Sequence, residues 1–201
     1  MITVSEVRRS LEGAWGILLG RADAMRSFDT SNDGFWRSFQ AIAIIAPIYA
    51  IVALADWRAA LAAATPGAGL PFGEEAFWAS RALLLVLDWV TLSVILAALA
   101  GFLSIKQRYG AFITVRNWSN VLGIAPFGAV AFLDFVGVLP GDAILIPSLV
   151  ALAFALRLSY MVARIALGAA VEVAIGFVAF DFLVSLALAR IVGRVFGVEL
   201  L

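Results

Sequence analysis

Three ionisable side chains, Asp88, Arg157 and Asp181, each stand inside a run of apolar residues. A charge at the centre of a bilayer costs at least about 2.5–3.5 kcal/mol, so each of the three requires a partner or a task. Arg157 and Asp181 are nearly equidistant from Gly168, where the chain is expected to reverse, so they reach the same depth on adjacent helices and are predicted to pair. Asp88 is then left over, and an unpaired buried acid either takes a proton or joins the same arginine. Two chemistries stay open. The three groups can form a carboxylate–arginine–carboxylate site that carries a proton or binds a cation, titrating as one coupled unit. They can equally be polar glue between helices.

Further polar residues surround this trio. Tyr160 and Arg164 share a helical face with Arg157, and Ser185 lies one turn from Asp181. Glu172 falls in the first turn of the last helix, where the helix dipole favours a carboxylate, and it offers Arg164 a second pairing. Asn117 and Asn120 lie at i, i+3 in the stretch Arg116-Asn117-Trp118-Ser119-Asn120, read as an interfacial anchor and helix start or as a headgroup or substrate contact.

The chain of 201 residues has neither His nor Cys, which excludes disulfides, thiolate nucleophiles, iron–sulfur clusters, His-ligated haem and the usual zinc sites. No phosphate-cradling glycine loop, dinucleotide fingerprint, nucleophile elbow or HExxH helix is present. Neither a metal nor a cofactor is expected. A formal net charge of zero gives no footprint for nucleic acid.

The elements that hold these residues must cross a bilayer. Hydrophobic residues make up 64% of the chain and charged residues 14%. Counted with Gly and without Tyr the apolar share is about 71%, far above the roughly 45–50% of a soluble domain. Charges divide the chain into runs near the 20 residues a spanning helix needs. Five spans are predicted, at about 38–56, 77–104, 117–138, 143–167 and 171–195. The fold class is all-α, a polytopic bundle of five transmembrane helices in one domain, 36–201, behind an N-terminal segment, 1–35. In that segment Val4, Val7, Leu11, Trp15, Leu18, Ala22 and Met25 recur at helical spacing, an amphipathic stripe suited to the headgroup plane. The remaining expected irregularities are the loop from Trp57 to Glu75 and the turn Leu139-Pro140-Gly141-Asp142.

With five crossings the termini lie on opposite sides. Nine basic residues fall on the N-terminal side and four (Arg58, Arg81, Arg190, Arg194) on the other, so the N terminus is expected in the cytoplasm and the C terminus outside, in a bacterial inner membrane. The order of amphipathic segment, five spans and basic loop, with Trp15-Gly16-Ile17-Leu18-Leu19-Gly20-Arg21 before the first span, resembles the Yip1-like integral membrane family. Ala22 stands where that family usually has a proline. The resemblance implies a membrane-organising or partner-binding protein with no established catalytic residues. The expectation is therefore a non-enzymatic scaffold or accessory protein whose partners are the lipid bilayer and another membrane protein or a second copy. The alternative is a small proton- or cation-coupled transporter using Asp88, Arg157 and Asp181.

Overall fold

The computed structural model describes residues 2–64, 69–102, 105–139 and 143–198. Among them there are helices and no strand. Seven α-helices follow one another: α1 (Val4–Leu18), α2 (Asn32–Ser38), α3 (Ile42–Ala63), α4 (Glu74–Leu99), α5 (Lys106–Phe135), α6 (Leu145–Ala166) and α7 (Val171–Phe196). The last five, with α2 running into α3, are long and apolar enough to cross a membrane, as the composition requires for a membrane protein. Pro47 in α3 and Pro126 in α5 are accommodated without ending the helix. The reversal falls at Gly168, whose φ of 65° is the left-handed conformation glycine adopts freely. Residues 65–68 of the expected loop, and the turn after Leu139, lie outside the described residues.

Span ends differ from the expected ones where a charge was taken for a boundary. α3 carries on past Asp56 to Ala63, and α5 begins at Lys106 rather than Asn117. At 1.5 Å per residue α5 is about 45 Å long, more than the roughly 30 Å of hydrocarbon. Its early part is walled in on every side, for residues 112–119 are all buried, with Phe112, Ile113 and Val115 fully so. Most of the wall is α1, α2, α3 and α6, with Phe177 and Asp181 of α7 reaching Phe112 and Arg116.

The face α1 turns to the bundle is rich in small residues. Ser10, Gly13, Ala14 and Ile17 are buried, while Val4, Trp15 and Leu19 at its C-terminal cap stay exposed. A Cβ on Gly13 would lie 2.8 Å from the Phe28 ring, so the absence of a side chain is what lets the following segment fold back against the helix. Thr3 caps α1 by accepting the Glu6 N–H at 3.2 Å, and the Glu6 carboxylate accepts from Arg37 Nε at 3.1 Å. Arg37 Nη2 also donates to Asp29. One guanidinium thus ties α1 and the Asp29 turn to the start of the first span. Outside the spans, hydrogen bonds from Ser31, then from Arg37, hold the Asp29 carboxyl below its ordinary value.

Candidate functional site

A cavity of about 560 Å3, open on the side where Leu156 and Phe182 are exposed, lies among α3, α4, α5, α6 and α7. On α5 its lining extends from Phe112 to Phe127, roughly 22 Å of helix. Its lining residues include runs at i, i+3 and i+4 steps: Arg81, Leu84 and Asp88 on α4; Arg116, Asn120, Gly123 and Phe127 on α5; Asp181, Ser185 and Ala189 on α7. Each is an inward stripe of a helix. Tyr49 of α3, Ser119 of α5 and Ser159 of α6 add further hydroxyls, and leucine and phenylalanine side chains supply most of the rest.

The charges occur in three tiers. At the end nearer the N-terminal side, Arg116 Nη2 donates to Asp181 Oδ1 at 3.2 Å, with side chains 7% and 18% exposed. In the middle, Ser185 Oγ donates to Asp88 Oδ1. Toward the far end, Arg81 Nη2 lies 2.8 Å from Asp56 Oδ2, its guanidinium over the Phe77 ring. Asp88 is consequently the lining acid that has a hydroxyl for a partner and no arginine.

The structure corrects the predicted pairing. Asp181 pairs with Arg116 of α5, and Arg157 is exposed on the outward stripe of α6 with Ile146, Val150 and Ala153. Both residues are counted from the same reversal at Gly168, but Arg157 is on the outward face of its helix, and face decides contact. Arg164 does not pair with Glu172 either: its Nη1 donates to the Ala169 carbonyl at the reversal, and Glu172 is exposed in the first turn of α7. Tyr160 is half-buried outside the cavity lining. Asn117 is no interfacial anchor. It is fully buried and donates to Ser38 Oγ at 2.9 Å, and Ser38 donates in turn to the Phe35 carbonyl. Asn120 lines the cavity.

Arg81, Arg116 and Tyr49 are outside the expected site set: Arg116 stands just before the expected third span, and Arg81 counts there only toward orientation. The signal was there in Arg116 itself, which continues the Asn120, Gly123 and Phe127 stripe. Among the described residues no three His, Cys, Asp or Glu side chains cluster to hold a metal.

The hydrogen bonding of the lining is incomplete in one direction. Buried atoms of Tyr49 (OH), Arg81 (Nε), Trp89 (Nε1), Arg116 (Nη1) and Ser119 (Oγ) have no hydrogen-bond partner among the described residues, and all five residues line the cavity. Leaving such a group unsatisfied costs about 1–3 kcal/mol. Fold and cavity together define an all-helical polytopic membrane protein with a polar, charge-bearing interior. Compared with known proteins, the chain matches no family model, no curated protein and no solved structure.

Proposed function

We propose that this chain is a small proton-coupled membrane transporter in which the cavity is the binding site and Asp88 is the group that exchanges the proton. The observation that carries the reading is the middle tier: within a lining where Asp181 is matched by Arg116, Asp88 has only Ser185. A carboxylate facing an internal cavity without a countercharge can be neutralised by a proton or a cation, and intramembrane acids mark ion and proton pathways. Arg116 replaces Arg157 in the earlier carboxylate–arginine–carboxylate scheme. The tiers on either side give a polar step toward each end of the bundle.

The test is proton flux in proteoliposomes under an imposed pH gradient. Flux is expected in the native protein and absent in Asp88→Asn, which keeps shape and hydrogen bonding but cannot ionise. Folded native protein without flux would end the proposal.

A second reading, a non-catalytic scaffold or accessory protein of the Yip1-like kind, is favoured by a different observation. Val4, Trp15, Leu19 and Trp36 leave large apolar surfaces exposed around the N-terminal segment. Such residues suit a headgroup layer or a membrane partner. This reading places the N terminus in the cytoplasm of a bacterial cell, and it expects Asp88→Asn to be silent.

A further inference from the structure

The unmet demand around the cavity is for acceptors, from donor atoms that lie just beneath its wall on residues that line it. Trp89 Nε1, Arg81 Nε and Arg116 Nη1 can only donate, and the Tyr49 and Ser119 hydroxyls can donate as well. The lining carboxylates are not short of donors in the same way, since Asp181 takes Arg116 and Asp88 takes Ser185. The three donor-only atoms have no lone pair to offer a bare cation. A group rich in oxygen lone pairs would satisfy them. The remainder of the wall, including Leu84, Leu152, Phe127 and Phe182, offers such a ligand an apolar bed, and the volume lies in the range of small-molecule sites.

We infer that the cavity receives an amphiphile, with its oxyanion head against Arg116 and neighbouring donors and its aliphatic part along the apolar wall, and that the proton on Asp88 accompanies it. The inference rests on the transport reading for the proton's role and goes beyond it in naming the co-transported class. The charge arithmetic of the site supplies the coupling. The ionisable groups facing the cavity are Tyr49 of α3, Arg81 and Asp88 of α4, Arg116 of α5 and Asp181 of α7, with Asp56 behind Arg81; α6 contributes none. Arg116 and Arg81 are each matched by an aspartate, so ionised Asp88 leaves the site one negative charge in excess. An anion entering then is repelled. Protonating Asp88 removes that charge, so anion and proton each favour the other's binding by the same factor.

The head can belong to a free amphiphile or to a membrane lipid, and the test separates the two. The protein in nanodiscs of neutral phosphatidylcholine is titrated with decanoate, decanol and decylammonium near neutral pH, and again in discs containing phosphatidylglycerol. Saturable binding of decanoate, at least about tenfold tighter than of decanol and with decylammonium weaker still, is the expected result. Binding should take up a proton, read from the heat in buffers of different ionisation enthalpy, and Asp88→Asn should bind decanoate without that uptake. Arg116→Met should lose decanoate binding. Because that variant can misfold, Trp89→Phe with Ser119→Ala removes two donors at unchanged charge and should weaken decanoate several-fold while leaving decanol unaffected. Weaker decanoate binding in the phosphatidylglycerol discs assigns the site to a lipid head; equal binding assigns it to a free amphiphile. Decylammonium binding best, or all three ligands alike or not at all, overturns the inference. Asp88-dependent flux without decanoate binding leaves the transport reading standing alone. Decanoate binding in a protein with no flux leaves the site and removes the transport.

Discussion

Arg37 and Arg116 do opposite things with the same guanidinium. Arg37 joins two carboxylates from two separate segments, Glu6 of α1 and Asp29, and so closes the N-terminal segment onto the first span. Arg116, more deeply buried, joins one carboxylate and leaves Nη1 without a partner beside a cavity. The first region is packed through small residues and bridged charges. The second holds more polar groups than its own side chains can satisfy. A fold that can satisfy its charges at one end, and leaves donors unmet at the other, has room there for something the chain does not provide.

The sharpest way to break this contrast is to remove Arg116. Arg116→Met strands Asp181 inside the bundle, and breaking a buried pair from one side costs about 3–5 kcal/mol. Thermal unfolding in detergent should show a large drop in Tm. The double change Arg116→Met with Asp181→Leu should recover most of it, since no uncompensated charge remains. A double variant as unstable as the single one would mean that the pair is holding the helices in register, as in the N-terminal region.

Acid should act on the other region first, and less strongly. Asp29 is held below its ordinary carboxyl value, so its share of stability is fully present above the usual carboxylate range and is lost as pH falls through its depressed value. Protection of α1 from proteolysis should therefore hold at neutral pH and fall in acid, and high salt should weaken it. Asp29→Asn should flatten that profile. A native profile with no acid sensitivity would mean that the small-residue face of α1 suffices without its ion pairs.

The smallest effect is expected at the residue that looked most consequential. Arg157→Gln removes a group that lies outside the cavity lining and has no ion-pair partner among the described residues, and should leave proton flux nearly unchanged. A marked loss would put Arg157 in contact with a second molecule and redraw the boundary between the two regions.

Much of this architecture can be read from residue order. Apolar runs long enough to span, the reversal at Gly168 and the all-helical class follow from length and hydropathy, which are one-dimensional properties. The site is not one-dimensional. Asp181 could be placed at its depth by counting, yet its partner depended on which way each helix was turned, and Arg157 is turned outward. Arg116 was hidden by the rule that charges end spans, which fails when another helix supplies a carboxylate. Asp88 is legible as an acid in an apolar run, whereas the hydroxyl that meets it, Ser185, is on another helix, and only the packing of α7 against α4 brings the two together.

The enclosure of α5 has a bearing on how the protein is made. It is the least apolar of the five spans, and its neighbours cover the part where Arg116, Asn117 and Ser119 are buried. A helix that never meets lipid on that stretch need not be good at entering lipid. During synthesis it emerges after α3 and α4 but before α6 and α7, one of which brings the carboxylate for Arg116. Its insertion is therefore a cooperative event that waits on later segments, and the chain is most exposed to quality control in the interval before Asp181 arrives.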